Sequence, residues 1–267
     1  MYLFHVLDGK NVSLMFHRIK YLVLVGIIGS IGLVTVLYSA GRYLARPAPE
    51  VIGAAKSYFS IEQDSFKSLT FADERGRDVA AWVAEGQPDK GALILIHGIR
   101  SNRLSMIDRA RMLYTQGFSV LMIDLQAHGE SQGEQITFGL LEALSAEAAI
   151  RFTREQWPGK KVGLIGVSLG GASAVFASSK VQADAYILEA VFSTLSGAAE
   201  NRVRIRFGEL GAVFTPLLLW QTQIQLGVRV EEISPLKYIS HIKAPIFLIA
   251  GEKDDRTTLE NSLALYE

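Results

Sequence analysis

The chain has 267 residues, enough for one large domain and an appended segment. Its 27 lysine and arginine residues balance its 27 acidic residues, and no basic run stands out, so the sequence has no electrostatic signature of nucleic-acid binding. The chain contains no cysteine, which excludes a disulfide framework and a metal site made of cysteines.

Residues 21–40 form an apolar segment, YLVLVGIIGSIGLVTVLYSA, that carries no charge. As a helix it would be about 30 Å long, the thickness of the hydrocarbon core of a bilayer. Arg18 and Lys20 precede it and Arg42 and Arg46 follow it, so positive charge leaves its orientation open. A cleaved signal peptide would have a shorter apolar part and a clear cleavage site, and a buried core helix would show a polar face. We therefore expect a single-pass membrane anchor.

The residues after this segment predict one domain. Pro47 and Pro49, within ARPAPE (45–50), prevent the helix from continuing and predict a short, stiff linker. We therefore divide the chain into an anchor segment, residues 1–50, and a domain, residues 51–267. The first element expected in the domain is a β-hairpin that turns near Gly76.

Apolar runs then alternate with segments of helical periodicity. The predicted strands include ALILIHG (92–98), SVLMIDLQ (119–126), KVGLIGV (161–167), AYILEAV (185–191) and PIFLIAG (245–251), and the predicted helices cover 104–116, 140–157, 169–180 and 257–267. This alternation predicts an α/β fold with a mostly parallel sheet and helices on both faces. Residues 192–242 interrupt it. They are either an inserted helical lid over a site or an ordinary helix packed on the sheet with a longer loop.

Ser168 lies between two glycines at the end of a predicted strand, in GVSLGG. A serine nucleophile on a strand–helix turn needs small residues two positions before and after it, and Gly166 and Gly170 supply them. The start of the following helix would direct free N–H groups at a developing oxyanion. The alternative is a phosphate-binding loop, but no lysine with serine or threonine follows the second glycine. The pattern predicts that Ser168 is a nucleophile.

Five segments in the same order resemble the α/β-hydrolase superfamily, over residues 66–267. LILIHGI resembles the oxyanion-loop strand, IDLQAHGES the D-x-x-G-H-G-x-S region, and GVSLGG the nucleophile elbow. YILEAVFSTL resembles the segment after the sixth strand in membrane-anchored members, and SPLKYISHIKAPIFLIAGEKDD the approach to the acid-bearing turn. Ala127 replaces the usual glycine of the second segment. The resemblance implies the α/β-hydrolase fold, with its last strand and helix missing and a helical insert at 192–242.

The resemblance also implies the roles of the site residues. Ser168 would attack an acyl carbonyl, and the backbone N–H groups of Ile99 and Leu169 would form the oxyanion hole. Asp254, in GEKD, occupies the position of the carboxylate that orients the catalytic histidine, with Asp255 as the alternative. Glu189 also ends a predicted strand, but members of the superfamily usually have an acid there without a triad role.

The histidine of the triad has no candidate in the expected place. In the superfamily it follows the acid, yet the 13 residues after Asp254 contain no histidine. The histidines of the chain are His5 and His17, which precede the apolar segment 21–40; His97 and His128, at structural positions of the superfamily; and His241, expected at the surface. Either a longer gene product supplies the base, or the chain is an inactive relative. We expect the first, because the last strand would otherwise be an unpaired apolar edge.

These features predict a single-pass, membrane-anchored serine hydrolase that cleaves ester or related acyl substrates through a Ser-Asp-His triad whose histidine lies beyond the given chain. Little turnover is expected of the 267 residues alone. The expected partners are a small-molecule or lipid-like acyl substrate and a membrane, with no nucleic acid. No metal or organic cofactor is implied, because the triad needs none. The alternatives are a non-catalytic, membrane-tethered binding module and a serine peptidase or thioesterase of the same fold. The oligomeric state stays open.

Overall fold

The long apolar helix predicted near the amino terminus is present as α1, Gly9–Ala45. The computed structural model describes residues 9–59 and 65–267. Among these residues, α1 contains the one segment, Ser13–Ala45, that is long and apolar enough to cross a membrane, and none of its apolar window is buried. That exposure argues against a buried core helix. By length and composition, α1 is a candidate membrane span or signal sequence.

The strands and helices that follow α1 alternate as expected for an α/β domain. The strands are β1 (Ala48–Pro49), β2 (Lys67–Ala72), β3 (Asp78–Ala84), β4 (Ala92–Ile96), β5 (Ser119–Ile123), β6 (His128–Gly129), β7 (Val162–Val167), β8 (Ala185–Glu189) and β9 (Ile246–Ile249). The helices are α2 (Ile107–Thr115), α3 (Glu142–Gln156), α4 (Leu169–Ala177), α5 (Leu195–Ala212), α6 (Thr215–Leu226), α7 (Pro235–Tyr238) and α8 (Leu259–Tyr266).

Seven strands form one sheet in the order β2-β3-β5-β4-β7-β8-β9. β2 and β3 form the predicted antiparallel hairpin, β3 is antiparallel to β5, and the other neighbours are parallel. In the centre, Ile96 at the end of β4 lies opposite Gly166 near the end of β7. The loops that follow these two strands therefore lie side by side. The predicted fold, a mostly parallel sheet with helices, is confirmed.

Both faces of the sheet are covered, which explains why the strands are almost continuously apolar. Ile94 and Ile96 of β4 pack on one face with small residues of α3 and α4, whereas Leu95 packs on the other face with Trp82 and Met122. These five side chains are fully buried. Burying each large side chain contributes roughly 2 kcal/mol to the free energy of unfolding. The core thus fixes the carboxyl ends of β4 and β7, where the two loops begin.

The predicted insert at 192–242 is helical and consists mainly of α5 and α6. α6 packs against the last turns of α1. The Gln225 side-chain amide donates a hydrogen bond to the Tyr38 carbonyl (3.0 Å), and Gly41 faces Gln221 so closely that a side chain at position 41 would overlap it. The insert therefore lies against the carboxyl end of α1.

The predicted linker is bonded to the domain. β1 pairs in parallel with β6, and the Ile136 N–H donates to the Ala45 carbonyl (2.8 Å). Glu130 accepts hydrogen bonds from the N–H groups of Ile52 and Gly53, each 3.0 Å long. The carboxyl end of α1 and the residues after it are thus fixed to the edge of the sheet where the strand-end loops lie.

β9 lies at an edge of the sheet, because β8 is its one strand partner in residues 9–59 and 65–267. Phe247 on this strand exposes 63% of its surface. In the described part of the chain, PIFLIAG is therefore the apolar edge strand that its sequence indicates.

Candidate active site

Ser168 lies on the turn between β7 and α4 and has an unusual backbone conformation. Its φ is 50° and its ψ is −109°, and a positive φ is rare for a residue that has a side chain. The Ser168 N–H donates to the Glu189 carbonyl (2.8 Å), and the Ser168 carbonyl accepts from the Ala172 N–H (3.0 Å). These bonds hold a strained strand–helix turn at the predicted position, and strain of this kind is concentrated at functional sites.

The glycines on either side of Ser168 leave no room for a side chain. A Cβ atom on Gly170 would lie 2.6 Å from the carbonyl oxygens of Ile96 and His97. One on Gly166 would lie 2.6 Å from a backbone nitrogen in the first turn of α4. Movement of a side chain cannot relieve clashes with the backbone, so both positions require glycine for α4 to approach the ends of β4 and β7.

The loop after β4 runs beside Ser168. A Cβ atom on Gly98 would lie 3.7 Å from Ser168 Cβ, and Ile99 and Leu169 line the same cavity as Ser168. Within the described residues, the backbone N–H groups of Ile99 and Leu169 have no protein acceptor. The structure therefore brings Ser168 together with both residues predicted to supply oxyanion donors.

A cavity of about 300 Å³ contains Ser168. Most of its lining is apolar and comes from three helices: Tyr43 and Leu44 of α1, Leu195 and Ala198 of α5, and Leu218 and Leu219 of α6. Arg100 and Arg202 also line it, whereas no carboxylate of the described residues does. A cavity of this size with an apolar lining and a few polar groups is typical of a site for a small or elongated apolar molecule.

Asp254 lies in the loop after β9 and does not line the cavity. Its Oδ1 accepts hydrogen bonds from the N–H groups of Arg256 (2.9 Å) and Thr257 (3.0 Å), while Oδ2 accepts none from the described residues. Asp255, the alternative, is exposed. The backbone therefore fixes one oxygen of Asp254 and leaves the other free for a further donor.

Arg202 of α5 lines the cavity, and charges of the Asp254 loop affect its pKa. Partial burial and the nearby Arg256 lower the pKa of Arg202, whereas Asp254 acts in the opposite direction. Ser168 follows β7 and Asp254 follows β9, and these parallel strands are two positions apart in the sheet. Both residues therefore lie at the same edge of the sheet.

Glu189, at the end of β8, forms an ion pair with Arg109 at 2.6 Å. Its carbonyl oxygen receives the Ser168 N–H. The structure thus gives Glu189 a place in holding the turn at Ser168, and its carboxylate already has a partner.

No histidine of the described residues lines the cavity. His128 Nδ1 donates to the Gln126 carbonyl (2.9 Å), and His128 Nε2 is buried without a partner in the described part of the chain. The exposed His241 packs its ring against Tyr238, with 5.6 Å between the ring centroids. His17 lies on the exposed surface of α1, and His5 lies outside the described residues.

His97 has a structural place at the start of the loop after β4. It is fully buried; its Nε2 accepts from the Leu125 N–H (3.0 Å). The proton is therefore on Nδ1, which donates to the Gly98 carbonyl (2.7 Å). Burial, and the proximity of His128, lower the pKa of His97 from 6.5 to about 3.

Acid is therefore expected to destabilise the protein through His97. The unfolded chain binds a proton at His97 below pH 6.5, and the folded protein does so only near pH 3. The contribution of neutral His97 to the free energy of unfolding is therefore complete above pH 6.5 and is lost as the pH falls towards 3. It is at most about 5 kcal/mol. Unfolding midpoints measured from pH 7 to pH 4 should fall less steeply in His97→Gln, which keeps an acceptor for Leu125.

His241→Gln is the matched control for this experiment, because it makes the same chemical change at an exposed histidine. An identical slope in His97→Gln and the wild-type protein would contradict the assignment of His97 as a buried, neutral histidine.

Several cavity residues outside the helical insert were not predicted from the sequence as parts of the site, among them Tyr43, Leu44 and Arg100. Tyr43 and Leu44 belong to the end of the membrane-helix candidate, and Arg100 lies in the loop after β4. The one local signal was the position of Arg100 directly after Ile99. Their place in the cavity that contains Ser168 depends on how the end of α1 packs against α6 and the loop after β4, which no local pattern indicates.

The sheet order, the strained serine turn after β7 and the loop beside it define an α/β-hydrolase. The model of the family Hydrolase_4, described as serine aminopeptidase, S33, matches residues 87–224, just over half of the chain, and the chain belongs to this family. The matched range includes Ile99 and Ser168 and ends before Asp254. The chain is therefore placed among hydrolases by both its fold and its family.

Similar proteins occur in bacteria, archaea and humans. The chain is 23% identical over 212 residues to the protein YqkD of Bacillus subtilis (strain 168), covering 78% of this chain and 70% of that protein. It is 24% identical over 207 residues to the Homo sapiens protein ABHD12B, covering 73% of this chain and about half, 54%, of the human protein. The Pyrococcus furiosus esterase Pf2001 has the same fold, with a TM-score of 0.65 and 24% identity over 83% of each chain.

Proposed function

We propose that the protein is a membrane-anchored serine hydrolase that cleaves esters or related acyl compounds, with Ser168 as its nucleophile. The observation that carries the proposal is the strained turn at Ser168, which borders a cavity and lies beside two N–H groups that have no acceptor among the described residues. A nucleophile held on such a turn, with donors ready for an oxyanion, is what acyl transfer requires. The hydrolase family of the chain supports the proposal.

In this mechanism, the Ser168 hydroxyl oxygen attacks the acyl carbon, its proton passes to a base, and the carbonyl oxygen becomes an oxyanion. The N–H groups of Ile99 and Leu169 donate hydrogen bonds to that oxyanion, each stabilising the transition state by about 3 kcal/mol. The alcohol leaves with the proton from the base. Water then attacks the acyl-enzyme, and the acid is released as Ser168 regains its proton.

The proposed base is an imidazole oriented by Asp254, the acid of the triad. The free Oδ2 of Asp254 supports this role, because Oδ1 is held by two backbone N–H groups. A serine hydroxyl is a weak nucleophile at neutral pH without such a base. The histidines of residues 9–59 and 65–267 are engaged elsewhere or lie away from the cavity, so we assign the role to none of them.

We further propose that α1 anchors the protein in a membrane as a single span. Tyr43 and Leu44 line the cavity within about one helical turn, roughly 5 Å, of the end of the uncharged segment 21–40. A lipid-like acyl substrate would therefore have a short path from the bilayer to Ser168. The helices α5 and α6, which supply apolar walls, are proposed to act as a lid. No cofactor takes part.

A serine peptidase is the second candidate, because the matching family is described as serine aminopeptidase. An aminopeptidase holds the ammonium group of its substrate next to acidic or carbonyl acceptors. The cavity instead has two arginines in its lining and no carboxylate from the described residues. The repulsion between these arginines and an ammonium group favours a neutral or anionic acyl substrate.

The proposal is tested by treating the native protein, in membranes or detergent, with a fluorophosphonate and locating the label by mass spectrometry of peptides. We expect the label on Ser168 and none on Ser173, which is buried in the same helix and donates to the Leu169 carbonyl (2.7 Å). A folded protein that carries no label at Ser168 would support the non-catalytic binding module. Nitrophenyl esters compared with aminoacyl nitroanilides then separate an esterase from an aminopeptidase.

A further inference from the structure

Arg100 joins the loop after β4 to the end of α1. Its guanidinium donates hydrogen bonds to the carbonyl oxygens of Tyr43 and Leu44, the latter at 3.1 Å. These carbonyls belong to the last turn of α1, where no partner within the helix exists and the helix dipole is negative. The Arg100 guanidinium also lies 5.1 Å from the centre of the Tyr43 ring. A cation therefore caps α1 from the neighbouring loop.

The backbone of Arg100 is in a conformation that its own side chain disfavours. Residues 98–101 form a turn closed by a hydrogen bond from the Ser101 N–H to the Gly98 carbonyl (3.3 Å). Arg100 is the third residue of this turn and has a φ of 55°, where glycine or asparagine is usual. Such a conformation persists only where other interactions hold it. The bonds from the guanidinium to α1 are interactions of this kind.

The turn that Arg100 closes presents Ile99, and Tyr43 and Leu44 line the same cavity as Ser168. Movement of the end of α1 would thus move both a wall of the cavity and the backbone of Ile99. An oxyanion donor stabilises a transition state only when it lies within a fraction of an ångström of the correct position. The side chain of Arg100 therefore connects the end of α1 to the turn that contains Ile99.

We propose that Arg100 is a positioning residue, which fixes the Ile99 N–H for catalysis by tying the 98–101 turn to the carboxyl end of α1. This inference rests on the proposed function, since it assumes that Ile99 is an oxyanion donor. It makes the end of the membrane-helix candidate a component of the active site, and it gives α1 a role in turnover that anchoring alone does not.

The test compares Arg100→Met, Arg100→Lys and Arg100→Gly in the full native protein. Arg100→Gly accepts the positive φ without strain but lacks the guanidinium, so it separates the tie to α1 from the conformation of the turn. We expect kcat for an ester to fall about 10- to 100-fold in Arg100→Met and Arg100→Gly, with KM within about twofold. Arg100→Lys, which can donate to one carbonyl, should recover part of the loss.

Arg46→Met is the matched control. The Arg46 guanidinium lies 4.2 Å from the centre of the same Tyr43 ring and is exposed, and its loss should leave kcat unchanged. Full activity in Arg100→Gly would overturn the proposal, because the turn alone would then suffice. A rise in KM at constant kcat would also overturn it and would show that Arg100 binds the substrate.

Hydrogen exchange of the amides in residues 98–101 gives a second readout that does not depend on activity. The Ser101 amide is the one to follow, because its N–H donates to the Gly98 carbonyl and closes the turn. We expect its exchange to become at least about tenfold faster in Arg100→Met and Arg100→Gly than in the wild-type protein or Arg46→Met. Unchanged exchange would overturn the proposal that Arg100 holds the 98–101 turn to α1, even if no substrate is found. Faster exchange in a protein whose Ser168 never reacts with a fluorophosphonate would instead support the link between Arg100 and α1 and refute the proposed function.

Discussion

Replacing Ser168 with alanine is expected to lower kcat/KM for ester hydrolysis by about 10⁶-fold, because no acyl-enzyme can form without the hydroxyl oxygen. The fold should be preserved. The bonds that hold the turn come from the backbone of residue 168, not from its side chain, and alanine has the same Cβ atom as serine. The thermal midpoint of Ser168→Ala, measured beside its activity in the native protein, should therefore stay within a few degrees of the wild-type value.

Ser173→Ala is the control for this variant, since Ser173 is one turn further along α4 and its hydroxyl bonds within the helix. It should retain full activity. Hydrolysis by Ser168→Ala at more than about 1% of the wild-type rate would place the nucleophile elsewhere and reduce the strained turn to a packing feature.

The parts of the site that the sequence predicts are those that depend on local spacing. Gly166 and Gly170 are required because the backbone within a few residues of Ser168 folds on itself at the start of α4, and a five-residue pattern captures that geometry. The strands were also predictable, because burial on both faces requires continuous apolar runs. That they form a mostly parallel sheet follows once the alternation of strands and helices is recognised.

The parts that the sequence does not predict depend on contacts between distant segments. Arg100 reaches carbonyls 56 and 57 positions earlier in the chain. Arg103 is another case: it is fully buried against Asp124 and also bonded to Glu130, although nothing in the sequence indicates that these residues pair. A charge in a loop has no periodic pattern that would indicate burial, and its partner is determined by the tertiary fold.

The apolar residues of the helical insert are a further example of contacts that the sequence does not predict. Its sequence is rich in large apolar residues, yet Leu210 and Val213 are exposed while Leu218 and Leu219 line the cavity. Composition predicts that such a segment is helical and amphiphilic, but not which of its residues face Ser168. That depends on the contact of α6 with α1, which is set by small and polar groups such as Gly41 and Gln225.

Asp254→Asn is expected to lower kcat by about 10⁴-fold while the loop after β9 stays folded. Asparagine retains Oδ1, so the hydrogen bonds from the N–H groups of Arg256 and Thr257 can persist. The change replaces the free Oδ2 with an NH₂ group, which cannot accept the N–H of an imidazole and holds the ring in the wrong tautomer. Unchanged hydrogen exchange in residues 251–257, measured beside kcat, would show that the loss is chemical and not structural.

Asp255→Asn provides the matched comparison, because it makes the same chemical change at the next residue, where the side chain is exposed. It should lower kcat by less than about twofold. If Asp255→Asn abolished activity and Asp254→Asn did not, the acid of the triad would be Asp255, and the backbone bonds at Asp254 would serve only to shape the turn. If neither variant lost activity, the base would be oriented by another group at this edge of the sheet, and Glu189 would be the next carboxylate to test, since it ends the neighbouring strand β8.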